Sequence, residues 1–415
     1  MKLQLQSRHT VRAGLCGYFT QAIINNFLPL LFVTLQGQFG LSLDQLSLLV
    51  MVNFGTQLLV DLLATKCVDK IGVRTSIVAA HVFAAAGMIA LGLLPRVITP
   101  YVGLIIAVML YAVGGGLIEV LVSPIIESCD TSNKAGMMSL LHSFYCWGTV
   151  GTIVLSTLFF RVFGIENWHI FACVWAIVPI ANGIWFCFVP LYPFVSDSAG
   201  EWKLRTLLRQ NVFWFFLLAM ICAGAAEQAV MQWASAFVET GLHVPKTIGD
   251  LLGPTMFVAL MGVSRLCYVP LSKKVSPQVA IAVSSCMCIV GYILTVATSV
   301  AWVSLIGCGL CGLSVGVLWP GVFSVASARL PRGGTAMFAL LALAGDLGCL
   351  GGPALVGYVS QSQGDVLRYG IAAAIVFPIV LAIGMGIRVW MTHSRKHDRS
   401  TTSDNDTESE KPSQG

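Results

Sequence analysis

Apolar residues along this chain fall into a dozen long runs divided by short polar punctuation. A helix crossing the roughly 30 Å hydrocarbon core of a bilayer needs about 20 mainly apolar residues, and each run is long enough. The pattern predicts membrane-spanning helices near 11–35, 45–67, 75–95, 100–126, 136–160, 168–190, 211–237, 250–271, 278–299, 301–327, 334–359 and 368–391. Gly and Pro recur inside them, which membrane helices tolerate because neighbouring helices satisfy the freed backbone groups. Composition agrees, with 56% hydrophobic and 10% charged residues against about a quarter charged in a soluble domain. The expected class is an all-α membrane protein with 12 transmembrane helices, neither a soluble enzyme nor a single-span receptor.

The first run follows Lys2, Arg8 and Arg12, as a signal peptide would. It is too long for one and ends in Leu-Gln-Gly without a small-residue cleavage pattern, so it reads as a retained helix. The thirteen cysteines are scattered, mostly within the spans, which excludes a secreted disulfide framework by location. Cys308 and Cys311 sit inside a span as small packing residues rather than a metal or redox pair. No metal or cofactor is expected.

Charge sets the topology. Cytoplasmic loops are rich in Lys and Arg, and with both ends inside only Arg96, Arg161, Lys246 and Arg368 of the 24 basic residues fall outside, with Arg265 in the eighth helix. The remaining nineteen face the cytoplasm, among them Lys66, Lys70, Arg74, Lys203, Arg205, Arg209, Lys273, Lys274, Arg329 and Arg332. The net charge of +5 is then a matter of orientation and calls for no nucleic-acid partner. The expected location is the cell's inner or plasma membrane, with both termini cytoplasmic. The organisation follows as a first six-helix half over 1–190, a polar connector at 191–210, a second six-helix half over 211–391, and a hydrophilic tail at 392–415 whose composition suits disorder.

The two halves repeat. A shift of about 200 residues carries Gly136, Met137, Leu140 and Leu141 onto Ala336, Met337, Leu340 and Leu341, and Gly148 and Gly151 onto Gly348 and Gly351. Ile106 and Gly116 fall on Ile306 and Gly316, and a slightly larger shift lays Gln21 and Asn25 of helix 1 on Gln228 and Gln232 of helix 7. Three helix pairs in the right order point to parallel halves, with solute held near midplane between them.

The loop after helix 2, Val68-Asp69-Lys70-Ile71-Gly72-Val73-Arg74, resembles the signature loop of the major facilitator superfamily, with Thr65 in place of its leading glycine. The resemblance implies the major facilitator fold and nearly spans the chain. Within that superfamily, Gly115-Gly116-Leu117-Ile118-Glu119 with Ser123-Pro124 in helix 4 resembles the fucose/proton symporter (fucose permease-like) group. Further patches are His142, Tyr145 and Trp147 in helix 5, Glu227, Gln228 and Trp233 in helix 7, and Trp319-Pro320 in helix 10. That group also carries an acid on helix 1, where this chain has Asn25 and Asn26, so coupling through two acids does not simply transfer.

An ionisable side chain at the centre of a membrane helix costs about 2.5–3.5 kcal/mol on insertion scales, so each is a candidate site. Glu119, Glu227 and Asp346 are the proton-coupling candidates, because a carboxyl moved between dry and wet surroundings exchanges a proton. Each has a structural alternative as an acid bonded to a neighbouring helix, strongest for Asp346 among its glycines. Asp61 and Arg265, near the inner ends of helices 2 and 8, read as gate or packing charges alongside the signature residues Asp69, Lys70, Gly72 and Arg74. Gln21, Asn25, His142, Tyr145, Trp147, Gln228, Gln232, Trp233 and Trp319 are candidates to bind a sugar-sized solute, the amides by donating and accepting hydrogen bonds. Their alternatives are interfacial anchoring for the aromatics and plain packing for His142 and His81.

No phosphate loop of the Walker type is present, so an ATP-driven pump is not expected. The leading expectation is a monomeric secondary transporter taking up a small sugar-like solute with H⁺, Na⁺ being the other ion that fits. Export of a drug or metabolite is the alternative, and a non-transporting sensor with a transporter fold the third, resting on the tail alone.

Overall fold

The computed structural model describes residues 6–129, 134–192, 204–271, 274–298 and 300–388. The connector expected at 191–210 falls mostly outside the described residues, as does the tail at 392–415. Twelve helices among the described residues are long and apolar enough to cross a membrane. They are α1 (Ser7–Phe39), α2 (Leu43–Ala64), α3 (Val73–Val97), α4 (Pro100–Glu127), α5 (Leu140–Phe163), α6 (Ile165–Phe188), α7 (Asn211–Gly241), α8 (Lys246–Tyr268), α9 (Pro277–Ala297), α10 (Ala301–Arg329), α11 (Met337–Ser362) and α12 (Leu367–Arg388). The large apolar side chains most open to the outside, such as Leu59, Val82, Phe188 and Ile383, form the surface that acyl chains cover.

The packing repeats as the sequence does. In the first half α3 packs on α4, α2 on α4, α1 on α5 and α3 on α6; in the second α9 packs on α10, α8 on α10, α7 on α11 and α9 on α12. The halves meet through α2 on α11 and α5 on α8, contacts that the same repeat exchanges. Glycines allow the closest of these approaches. A Cβ on Gly348 would collide with the Ile221 carbonyl of α7, one on Gly224 with the Gly345 carbonyl of α11, and one on Gly87 with the Tyr111 amide of α4.

Two spans are broken where they line the space between the halves. α1 is helical over Ser7–Asn26, tightens to a 3₁₀ turn at Leu28–Leu31 around Pro29, and resumes at Phe32–Phe39; proline removes a backbone donor and forces the interruption. α7, its counterpart in the repeat, loses regularity after Met231 and ends in a π turn at Phe237–Gly241. α8 opens with an α-helical stretch at Lys246–Asp250 and then passes through a π turn at Leu251–Thr255 around Pro254, and such turns are frequent at functional sites.

The signature loop has a structural account. The α2 helix continues to Ile71, and Gly72 turns the chain at φ 91°, a left-handed value that favours glycine. Arg74 then reaches the last turn of α6, donating to the carbonyls of Phe186 at 2.8 Å and of Cys187 and Val189 at 2.9 Å each. Lys70 is exposed at the end of its helix, where the helix dipole favours a cation. The Asp69 side chain lies outside the described residues.

Candidate functional site

A cavity of about 380 Å³ opens between the halves. Its wall joins Gln21, Asn25, Glu119, His142 and Tyr145 from the first half to Glu227, Gln228, Arg265, Trp319 and Asp346 from the second. The three candidate acids, which differ in depth along their own helices, therefore share one chamber. The sequence did not single out Tyr18, Phe54, Ser143, Tyr268, Phe323 and Cys349, which line the same wall, with Pro320 beside Trp319.

Charge inside the cavity is paired on one side and unpaired on the other. Arg265 stands 3.6 Å from Glu227, and its other guanidinium neighbours are the sulfurs of Cys146 at 3.3 Å and Met261 at 3.7 Å. Arg265 is thus a member of the cavity wall, closer to the chemistry than a gate charge at the helix end. Among the described residues no cation pairs with Glu119, which accepts a hydrogen bond from Gln21 Nε2 at 3.0 Å. Asp61 lies outside the wall, beside Asp346 across the α2–α11 contact. His142 meets Tyr18 edge to face at 5.6 Å.

A buried amide network stands above the acids. Gln21 Nε2 donates to Gln57 Oε1 at 2.8 Å, and Gln57 Nε2 donates to Asn25 Oδ1 and Asn53 Oδ1 at 2.9 Å each. Asn53 Nδ2 also donates to Asn25 Oδ1 at 3.1 Å, and the neighbouring Asn26 donates to Thr149 of α5 at 3.1 Å. Asn53, Gln57 and Asp61 form a four-residue-spaced polar stripe on one face of α2, a signal readable in the sequence and not used there.

Three candidates lie away from the wall. Trp147 is 48% exposed on the outer surface of α5: it follows Tyr145 by two residues, about 200° round the helix, so the two cannot share a face. Gln232 and Trp233 are buried above the cavity, where α7 loses its regular turn. Gln232 Nε2 donates to the Asn25 carbonyl at 3.3 Å and to Gln228 Oε1 at 2.9 Å, while Trp233 Nε1 donates to the Pro353 carbonyl at 3.1 Å. His81 also stands apart, bonded to Asn182 at 2.8 Å.

The end of the bundle far from the chain termini is shut. Lys246 donates to the Leu30 carbonyl freed by the break in α1, and pairs with Asp250 at 3.2 Å and Glu239 at 3.8 Å. Asp250 accepts from Ser235 on its own half and from Thr157 on the other, the latter at 3.4 Å. Phe32 packs on Trp233 with ring centres 5.1 Å apart, and Leu43 N donates to Gln361 Oε1 at 3.2 Å. The cavity residues lie on the other side of this seal, toward the termini.

The sequence matches the Major Facilitator Superfamily over residues 13–353. The chain belongs to that family. It is accordingly a multi-pass membrane transporter that binds a small-molecule substrate, and not an enzyme. Among solved structures the facilitator fold of this chain aligns with that of the nucleoside transporter NupG, at a TM-score of 0.71 and 12% identity over 91% of this chain and 98% of that one. The E. coli fucose:proton symporter FucP aligns at a TM-score of 0.60 and 16% identity, over 91% and 98% of the two chains. FucP in the outward conformation aligns at 0.60 and 14% identity, with the same coverage. No curated protein matches the sequence. In a major facilitator protein a chamber between the halves, sealed at one end, is the place where solute is held while access alternates.

Proposed function

We propose that this protein is a proton-coupled uptake carrier for a small, neutral, polyhydroxylated solute, working as a monomer with its termini in the cytoplasm. The observation that carries the reading is the composition of the sealed chamber: three carboxyls against one guanidinium, with amides and the aromatic rings of Trp319 and Phe323. Acids without cations suit protons, amides suit hydroxyls, and rings suit the apolar face of a sugar. Two of the similar solved structures, a nucleoside transporter and a fucose:proton symporter, each handle a sugar-containing or sugar solute, which supports the choice. Glu119 is the coupling carboxyl in this reading, because no cation among the described residues pairs with it, and Glu227, tied to Arg265, answers to the solute. A proton bound with different affinity in the two facing states is what drives accumulation.

The test is uptake of labelled L-fucose and uridine into proteoliposomes under an imposed pH gradient, expected to accumulate at least one of them. Failure of both to accumulate in either direction removes the proton-coupled uptake reading. The surplus of acids also favours a second reading, proton-driven expulsion of an organic cation. Gradient-driven movement of ethidium, in the absence of sugar or nucleoside uptake, would select it.

A further inference from the structure

The amide network holds one buried polar atom that the rest of its geometry does not account for. Gln21 is 3% exposed, its Nε2 donates to both Glu119 and Gln57, and its Oε1 is buried with no hydrogen-bond partner among the described residues. A buried acceptor left without a donor is costly, and this one belongs to the side chain that touches the proposed coupling carboxyl. We infer that Gln57, through a reversal of donor and acceptor along Gln21, Gln57 and Asn25, carries the protonation state of Glu119 to the contact between the halves. The inference rests on the proposed reading of Glu119 as the proton-coupling carboxyl.

The chemistry runs in one direction at a time. With Glu119 ionised, Gln21 donates to it and Oε1 stands idle. When Glu119 takes a proton, one carboxyl oxygen becomes a donor, and its acceptor is Gln21 Oε1 after a half turn of that amide. The turn places Oε1 against Gln57 Oε1, two acceptors face to face, so the Gln57 amide turns as well and donates back to Gln21. Gln57 Oε1 then faces Asn25 Oδ1 and Asn53 Oδ1, which had both accepted from its Nε2, and these amides reverse in their turn. No bond beyond that of the added proton is made or broken; only the direction of the hydrogen bonds changes.

Asn25 is where the chain arrives. Its side chain lines the cavity, and reversal turns Oδ1 to the place beside Tyr145 that Nδ2 had held, so a donor is exchanged for an acceptor in front of the solute. Its Nδ2 also leaves Tyr145 Oη, which it meets at 3.5 Å. Its backbone carbonyl accepts from Gln232 of the other half, which leads through Gln228 to Glu227. The titratable groups facing Glu119 are Tyr18 on α1, Asp61 on α2, Tyr145 on α5, and Asp346 and Cys349 on α11. On α3, also packed against α4, His81 is bonded to Asn182. None of the amides titrates, so Gln57 is a positioning residue whose effect must pass through Glu119.

The decisive measurement needs no solute, since the proton is the ligand. Nitroxide labels on exposed Val162 and Ile248, one on each half at the sealed end, report the opening of that end once the exposed thiols of Cys187, Cys267 and Cys286 are replaced. Between mildly acidic and mildly alkaline buffer, the wild-type ratio of short to long distances is expected to change about 5-fold or more, the lower range of allosteric couplings. Glu119→Gln should abolish the change, Gln57→Met should abolish it with Glu119 intact, and Gln57→Asn, which keeps a reversible amide, should recover part of it. A full wild-type response in Gln57→Met, with Glu119→Gln flat, overturns the relay and leaves the proton reading standing. A flat wild type, or a Glu119→Gln variant that responds like wild type, overturns Glu119 as the proton site and the relay with it. Should Gln57→Met fail to purify as a folded protein, Gln21→Met breaks the same chain at its other end, and a retained response there overturns the relay equally.

Discussion

At the scale of single residues, Arg265 is the most informative side chain in the cavity. A guanidinium has five N–H donors, yet here it meets one carboxylate oxygen at 3.6 Å and two sulfurs, with Nε buried and unpartnered. Removing one member of such a pair leaves the other charge stranded, at about 3–5 kcal/mol for buried pairs, less here because both side chains keep some exposure. Arg265→Ala should therefore lower the melting temperature in detergent, and Arg265→Ala with Glu227→Gln should recover much of the loss; an additive double variant would show that the two do not act as a pair. Glu119→Gln should abolish gradient-driven accumulation while sparing solute exchange at equal concentrations, measured by counterflow. Unchanged accumulation would remove it from coupling. The acids were legible in the sequence because a charge in an apolar run stands out by its cost. The pairing of Glu227 with Arg265 was not, since the two belong to helices whose adjacency no local pattern reveals. Trp147 failed for a simpler reason: a good residue type on the wrong face of its helix.

At the scale of elements, the spans were legible almost to their ends because hydropathy acts locally on each helix. Their interruptions were legible only in part. Pro29 and Pro254 announce a break, but the irregular turn after Met231 in α7 has no proline and appears only when α1 and α7 are packed together. The α7–α11 contact depends on glycine as much as on burial: at Gly348 and Gly352 any larger side chain meets the backbone of Ile221 or Ala225. Gly348→Val is expected to reduce the yield of folded protein severely, whereas the same change at Gly351, where a Cβ meets nothing within 4 Å, should be tolerated. Size-exclusion profiles of the two variants side by side check the contrast. At the signature loop, Arg74→Ala removes three charge-assisted bonds to the end of α6, each worth about 1.5–3 kcal/mol; loss of thermal stability in detergent is the expected outcome. The asparagine and glutamine stripe on α2 shows what a pattern search for acids overlooks, since amides carry no charge to mark them.

At the scale of the whole molecule, the two halves meet at one sealed end and part around the chamber. The seal is built from Lys246, the Leu30 carbonyl, Asp250 and Thr157, so Lys246→Ala should shift the population toward opening of that end. Faster labelling of a cysteine introduced at Gln232 by a membrane-impermeant reagent would report it, and an unchanged rate would mean that the seal does not depend on this ion cluster. The sequence by itself determined the twelve spans, the twofold repeat and the family, because hydrophobic length, basic-residue bias and internal similarity are properties read along one strand of text. It also determined which charges sit at membrane depth. Only the tertiary structure decided that Glu119, Glu227 and Asp346 share one chamber, that Arg265 belongs to it, that Gln232 and Trp233 stand above it, and that amides join the acids across the halves. The physical reason is that a hydrogen bond depends on a few ångströms between helices distant in the chain, while hydropathy depends only on what each helix is made of.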